Sequence, residues 1–571
     1  MRATENTAIV APPGAERVAP TAADAAIEAL RREGVDHVFG LPGTTTMHLL
    51  DALARRRDIR YVSVRHEQVA GFMADGFARG SGRLGVCMAS RGPGAANVTI
   101  ALHNAHGESV PVLALIGQVD DEIVYREGFE EVDLVAMFEP LTKWSLEVHD
   151  ARRVPELVQR AAGVAATGRP RPVMASIPLD VQKRSLPEPV FRPPVAVAHP
   201  VPPPAEVERA AELLAGARRP VILVGGGAER AGAAGAVARL AEALDAPVAA
   251  SWHRKAAFPD GHRAFVGVLG FGALEVTERA VREADVVLSL GCRFSQFTSA
   301  RWTLLPPGVE LIQVDVDAEG LGRAYAPAVA LHGDARATAE ALTDALAGER
   351  AAPAERLAEL RRDYEQQSRL PAVPGAGPVP SAALVRALRA ARERHDPIFV
   401  QDAPTFGVWM QRYLPVERPG SYYGNAGGAM GWGLPAALGI QLAQPGERVL
   451  AVVGDGSFWM VAQDLETAVR ERIPVVTVVA NNFAYGNTRD RQRADHGGRL
   501  FGVLYDNPDF AAFARLVGAH GERVERTEDL YPAIDRAIAS GLPAVVDVIQ
   551  DVDEGLPPDV LPPGAGEEEE R

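Results

Sequence analysis

Val449–Asn482 reads VLAVVGDGSFWMVAQDLETAVRERIPVVTVVANN, and its two apolar runs decide the fold. Each run is rich in β-branched residues without polar alternation, the pattern of a strand buried on both faces. Between GDG and NN there is room for a turn, a helix of about three turns and a second strand. A right-handed crossover then sets Asp455 and Asn482 at the carboxyl edge of neighbouring parallel strands, where open α/β sheets bind ligands.

The chemistry of those two strand ends is specific. Gly454 and Gly456 let backbone N–H groups approach an anion closely, and a helix beginning after Ser457 would turn its positive end toward it. The Asp455 carboxylate alone would repel phosphate. A hard divalent cation resolves the conflict if Asp455, the Asn482 amide oxygen and a nearby backbone carbonyl hold it and phosphate oxygens complete six-fold coordination. Asp-Gly is a common turn and Asn-Asn a common loop. Their pairing at this spacing, each after an apolar run, carries the reading of Mg²⁺ plus diphosphate.

The remainder of the chain fits that picture. Its 571 residues exceed one hydrophobic core and imply about three domains. A net charge of -15 argues against a nucleic-acid partner, which calls for a basic surface. Cys87 and Cys292 are the only cysteines, too few for a disulfide framework or a thiolate metal site, and both sit beside apolar runs as small buried hydrophobes do. No signal peptide and no run of about 18 apolar residues occurs, so the expectation is a cytoplasmic protein without membrane association. Residues 1–20 read as a disordered tail and 556–571, ending GEEEER, as a solvated acidic one.

Proline-rich stretches from Leu186 and Leu370 read as extended linkers and leave three blocks, 21–186, 200–346 and 375–555. Apolar runs such as PVLALIG, PVILVGGG and DVVLSLG alternate with helical patterns in each block. The fold expectation is three α/β domains, each a mainly parallel sheet flanked by helices. Blocks one and three also share a plan of glycine loops leading into helices.

GDGS followed by NN resembles the signature of thiamin diphosphate (ThDP) enzymes, as does NAGGAMGWGLPAALG upstream. In the first block VFGLPGTTTMHLLDAL, VRHEQVAGFMADGFAR and ASRGPGAANVTIALHNA resemble the pyrimidine-binding domain of acetolactate synthase-like enzymes. The motifs run in order from Ala22 to about Val552, so the three blocks would be the pyrimidine-binding, middle and diphosphate-binding domains. The resemblance implies that Glu67 activates the cofactor at its pyrimidine, sharing a proton there, and that Met430 props it in a bent form. It places the Ala484 carbonyl as third metal ligand, Thr405, Tyr485 and Gly486 near the diphosphate, and Pro42, Ser90, Pro93 and Asn97 against the pyrimidine from across a subunit interface. A homodimer or homotetramer follows, with a small keto acid and a carbonyl acceptor as partners.

Departures from the family pattern mark the substrate side. Glu130 stands where acetolactate synthases usually have Gln, Arg91 precedes the GPG turn, and Arg491 stands where amino-acid-pathway synthases have Trp. Glu130 is a candidate acid or base, and Arg91 a candidate partner for a substrate carboxylate. Arg491 reads equally well as a surface change. His103 and His106 lie one turn apart without a third ligand nearby, which favours packing over metal binding.

In the middle block, GxGxxG starting at Gly225 fails at Arg230. Acetolactate synthases bind FAD in this domain and several decarboxylase and lyase relatives leave it empty. GCRFSQFTSARW matches the FAD-contacting loop only in part, so an empty domain is favoured over FAD. The functional expectation is a ThDP- and Mg²⁺-dependent carboligase or lyase acting on a 2-keto acid or α-hydroxyketone through a C2 carbanion. A decarboxylase resembling benzoylformate decarboxylase is the same-cofactor alternative, and a nucleotide-dependent oxidoreductase the alternative of another class.

Overall fold

The apolar runs become strands of three all-parallel six-stranded sheets. The computed structural model describes residues 20–346, 354–373, 378–402 and 404–560. In the amino-terminal domain β1 (His37–Gly40), β2 (Arg60–Ser63), β3 (Gly85–Ala89), β4 (Val112–Gln118), β5 (Trp144–Glu147) and β6 (Val173–Pro178) lie in the order 2-1-3-4-6-5. The middle domain has β7 (Pro220–Val224), β8 (Val248–Ala250), β9 (Phe265–Val268), β10 (Val286–Leu290), β11 (Glu310–Asp315) and β12 (Val329–His332), in the order 12-11-10-7-8-9. The carboxyl-terminal domain has β13 (Ile398–Asp402), β14 (Tyr422–Gly424), β15 (Val449–Gly454), β16 (Val476–Asn481), β17 (His520–Val524) and β18 (Ala544–Ile549), in the order 14-13-15-16-18-17. First and third domains thus share one strand order, and the middle sheet is wound in the doubly wound nucleotide-binding order.

Local sequence explains how the outer domains join. The helix Glu67–Ser81 is buried on nearly every side because it lies between its own sheet and the helix Gly433–Ala443 of the carboxyl-terminal domain. Glycine makes that crossing close. A Cβ at Gly76 would stand 2.2 Å from the Ala436 carbonyl oxygen, and one at Gly439 2.1 Å from that of Met73. Trp432 donates to buried Asp75 across the same seam at 3.1 Å, so one apolar core spans both domains.

Several sequence boundaries shift. Instead of one helix after Ser457, the crossover is a short helix Asp455–Trp459, a 3₁₀ turn Ala462–Asp464 and a helix Leu465–Glu471. The break serves Asp464, whose carboxylate accepts the Arg65 amide of the other domain at 2.8 Å. Beyond residue 346, the helix Ala354–Gln367 packs Leu357, Leu360 and Tyr364 on the middle core, so that unit extends past the proposed block. The acidic tail proposed from 556 begins later. Arg412, with a side chain 5% exposed, needs a counter-charge, and Asp559 supplies it through two hydrogen bonds. The remainder of that tail, 561–571, and residues 1–19 of the amino-terminal one lie outside the described residues. Among the described residues no helix is long and apolar enough to cross a membrane.

Candidate functional site

Parallel pairing of β15 with β16 sets Gly454 opposite Ala480, so the chain leaves both strands on the same edge. A cavity of about 450 Å³ opens there, lined by Thr405, Met430, Gly454–Ser457, Asn482 and Ala484–Gly486. The whole carboxyl-terminal set named from the sequence therefore faces one space. A Cβ at Gly454 or Gly428 would meet nothing within 4 Å, so both glycines leave room that a larger side chain would fill.

Asp455 is 2% exposed, and its carboxylate accepts from the Gly456 amide (2.9 Å), the Tyr505 hydroxyl (3.1 Å) and the Asn507 amide (2.8 Å). Burial still pushes this carboxyl above the usual range, because these neutral donors replace water only in part. Of the two asparagines, Asn481 ends β16 with its amide on Asp547 (2.9 Å), while Asn482 lines the cavity and donates to the Glu554 carbonyl (3.3 Å). Phe483 between them and Ala484 takes φ +57°, a left-handed conformation costly for a bulky residue, which re-aims the chain after the strand. One carboxylate, one amide oxygen and one carbonyl make a hard-oxygen donor set that suits Mg²⁺. Among the described residues no group of three or more His, Cys, Asp or Glu side chains could hold a metal.

Asp402, which the sequence reading missed, anchors the loops around this cavity. Its carboxylate accepts the Ser457 hydroxyl (2.6 Å) and the Gly433 amide (2.8 Å), and burial pushes it up to about 6. The signal was an aspartate ending an apolar run, IFVQD, as Asp455 does. Tyr505 and Asn507 were missed for want of any motif.

The amino-terminal set gathers elsewhere, past the ends of β1 and β3. Glu67 opens its helix, 8% exposed, and accepts from the Asn97 side-chain amide at 2.9 Å. A Cβ at Gly94 would lie 3.2 Å from the same carboxylate, so the helix Pro93–Glu108 covers it closely. Ser90 hydrogen-bonds Thr45 at 2.8 Å, and Pro42 and Pro93 are exposed beside them. None of these residues lines the cavity; the nearest link is Gln68, which donates to the Met460 carbonyl at its rim (3.2 Å).

Arg91 and Glu130 do meet. The buried guanidinium donates to the Phe129 carbonyl (2.8 Å) and the Thr44 hydroxyl (3.2 Å), and pairs with Glu130 at 3.5 Å. Glu130 has φ +61°, in a strap where Tyr125 and Glu127 are also left-handed. Arg491 is an exposed surface residue paired with Asp495 at 3.2 Å. His103 is exposed, while burial with the charges of Arg171 and Arg169 holds His106 down at about 4. Both cysteines are buried and free.

The middle-domain turn is closed on itself. The Gly225 and Gly227 amides donate to the Leu290 and Gly291 carbonyls (3.1 and 2.9 Å), and a Cβ at Gly225 would lie 2.3 Å from the Gly291 oxygen. Arg254 lies over Gly226, 3.1 Å from where its Cβ would be, and is bound to Glu108 and Glu229. These glycines serve close packing of two loops. Two of the amides that an FAD diphosphate could meet here, those of Gly225 and Gly227, are therefore already taken.

Three family models match the chain in order: the N-terminal TPP binding domain of thiamine pyrophosphate enzymes at residues 20–137, their central domain at 207–342 and their C-terminal TPP binding domain at 402–548. Thiamine pyrophosphate is ThDP. The chain is 33% identical to the probable acetolactate synthase large subunit of Methanocaldococcus jannaschii over 569 residues, covering 95% of this chain and 93% of the relative. Similarity to the acetolactate synthase isozyme 2 large subunit of Escherichia coli is also 33%, over 95% of this chain and 98% of that one. The large subunit of Corynebacterium glutamicum is 31% identical, over 93% and 86%.

Proposed function

The chain belongs to the thiamine pyrophosphate enzymes, is acetolactate synthase-like, and forms or cleaves carbon–carbon bonds; from this premise we propose that it is a Mg²⁺-dependent carboligase or lyase acting on a 2-keto acid such as pyruvate, or on an α-hydroxyketone. The observation that carries this is the meeting of Asp455, Asn482 and Ala484 on one cavity with Met430. When bound, ThDP supplies an electron sink for the electrons of a bond cleaved beside a carbonyl. The chain's own residues do the remainder. Asp455, Asn482 and the Ala484 carbonyl would hold Mg²⁺ beside the diphosphate, Gly454 and Gly428 leave room for it, and Met430 would support the cofactor from the same cavity.

Glu67 would share a proton with the pyrimidine ring of the bound cofactor, and Asn97 holds the Glu67 carboxylate in one orientation. Because that half of the site does not line the cavity of its own chain, a second copy brings Glu67 to it, in a homodimer or homotetramer. Trp459, Met460, Tyr485 and Phe501 are exposed large apolar residues that a second copy would cover.

Carboligation is favoured over simple decarboxylation because Glu130, the acid that decarboxylation would use, is committed to Arg91. The pair instead offers a polar wall for the acceptor carbonyl. The test is a product screen by mass with pyruvate alone, then with aldehydes and ketones added. Ligated product that disappears in Glu67→Gln is expected. Free aldehyde as sole product, at a rate indifferent to acceptor, sinks the carboligase reading and promotes the decarboxylase.

A further inference from the structure

The loop that carries Met430 has almost no regular structure of its own. Between β14 and the helix Gly433–Ala443 it passes through Asn425–Gly431, with Gly428 and Gly431 left-handed at φ +79° and +83°. Its alternate backbone amides are each taken by a side chain from outside the loop. Gly427 N–H donates to Glu108 (2.8 Å), Ala429 N–H to Asn104 (3.4 Å), Gly431 N–H to Ser457 (2.7 Å) and, just beyond, Gly433 N–H to Asp402 (2.8 Å). Ser457 and Asp402 belong to the diphosphate-binding domain itself. Asn104 and Glu108 come from the amino-terminal domain, on the last turns of the helix whose first turns carry Pro93 and Asn97.

Both of these side chains are built in. Asn104 is fully buried, and a Cβ at Gly427 would stand 2.2 Å from its amide oxygen, so only glycine allows the approach. The Glu108 side chain has no exposed surface, and its second oxygen binds Arg254 of the middle domain, which also pairs with Glu229 at 3.4 Å. Three domains therefore converge on two backbone amides, Gly427 and Ala429, that flank the approach to Met430. Without these partners the two donors would lose their acceptors in a partly buried seam, and the loop would relax.

We propose that Asn104 and Glu108 are positioning residues for Met430: from the amino-terminal domain they fix the backbone of Asn425–Gly431, and Arg254 of the middle domain fixes Glu108. This rests on the reading above, in which Met430 supports the bent cofactor. A single helix then serves two sites of the proposed assembly, pyrimidine contacts to the second copy's cavity at its start and the cofactor prop of its own chain at its end. A shift of the loop by about 1 Å is enough to cost up to roughly 100-fold in rate without loss of binding.

The experiment begins with calorimetric titration of ThDP into the wild-type chain with and without Mg²⁺; absence of metal-dependent binding overturns the functional reading itself. With binding established, Asn104→Leu is expected to lower kcat by at least about tenfold and leave ThDP affinity within about threefold, while Asn104→Asp, which keeps an acceptor oxygen, restores most of the rate. In the apo chain, Asn104→Leu speeds hydrogen exchange of 425–431 without speeding it in the helix Gly433–Ala443. Adding Asn104→Leu to Met430→Ala lowers kcat by less than about twofold further, since a positioning residue has nothing left to position. Should Asn104→Leu not fold, Glu108→Leu in the same double-mutant series takes its place, with Glu108→Gln as the conservative variant. An unchanged kcat, or losses that multiply fully with Met430→Ala, overturns the proposal.

Discussion

Replacing Asp455 by alanine separates the metal from the rest of the site. Asp455 is the only carboxylate among the proposed ligands; the other two, Asn482 and the Ala484 carbonyl, are neutral. Removing the charged partner of a buried pair typically costs about 3–5 kcal/mol, and each 1.4 kcal/mol is roughly a factor of ten. The expected loss in Mg²⁺-dependent ThDP affinity is therefore about 10²- to 10³-fold. Folding pays far less. Tyr505 and Asn507 lose an acceptor, but Asp455 itself lines the cavity of about 450 Å³, so water admitted by the truncation replaces it and the cost is about 1–2 kcal/mol. Burial also disfavours the charge of Asp455 in the apo chain, and its removal offsets part of that loss. The assay is titration calorimetry of ThDP at fixed Mg²⁺ and again with chelator, with thermal unfolding of the apo chain as control. Wild type should respond strongly to chelator and Asp455→Ala hardly at all. A variant that binds ThDP within about threefold of wild type at the same Mg²⁺ refutes the two-ended site.

Glu67→Gln keeps size and the Asn97 contact but cannot share a proton, so cofactor binding should change little while kcat falls by about 10²–10⁴; a full-rate variant refutes the assignment. Burial holds Asp402 at about 6 in the folded chain, above the ordinary aspartate value of about 3.9, so its stabilising share is fully present below the lower value and is lost as pH rises through the higher. The apo wild type should therefore lose about 2 kcal/mol relative to Asp402→Asn between pH 4 and pH 7, measured by denaturant unfolding; a pH-independent difference refutes it. Co-expressed Glu67→Gln and Asp455→Ala chains should regain about one quarter of wild-type activity, because half the dimers are mixed and each mixed dimer has one intact site of two. No regain in verified mixed dimers means that each site is built within one chain.

The fold was legible because buried parallel strands leave uninterrupted β-branched runs, and GDGS and NN are short, rigid and close in sequence to the strands they end. Asp455 and Asn482 could be placed together from one crossover rule, and the shared plan of blocks one and three reappears as a common strand order. Other parts depend on tertiary partners that no local pattern records. The crossover helix breaks at Val461 because Asp464 is needed by the Arg65 amide, a residue about 400 positions away. Helix Ala354–Gln367 falls between the blocks read from the sequence, yet Arg361 ties it to the Asp260, His262 and Phe265 carbonyls of the middle domain. The VGGG turn shows the reverse case. Its glycines suit a nucleotide and suit equally a close contact between two loops, and only the position of Gly291 decides between them.

The common strand order of the outer domains also explains how one architecture supplies two unlike halves of a site. In both, the second strand lies beside the first at one side of the sheet, and the crevice opens past the carboxyl ends of the first and third strands. In the carboxyl-terminal domain the third strand ends at Gly454 and delivers Asp455 into that crevice, with Asp402 ending the first. In the amino-terminal domain the third strand ends at Ala89 and delivers Ser90 and Arg91, where the buried guanidinium pairs with Glu130. Equivalent edges thus carry acid in one domain, suited to a cation and a diphosphate, and base with hydroxyls in the other, suited to a carboxylate or carbonyl oxygen. These edges do not meet around one cavity within the chain, so on the proposed assembly substitutions at exposed Trp459 and at the rim residue Met460 are expected to lower turnover through assembly while leaving each sheet intact.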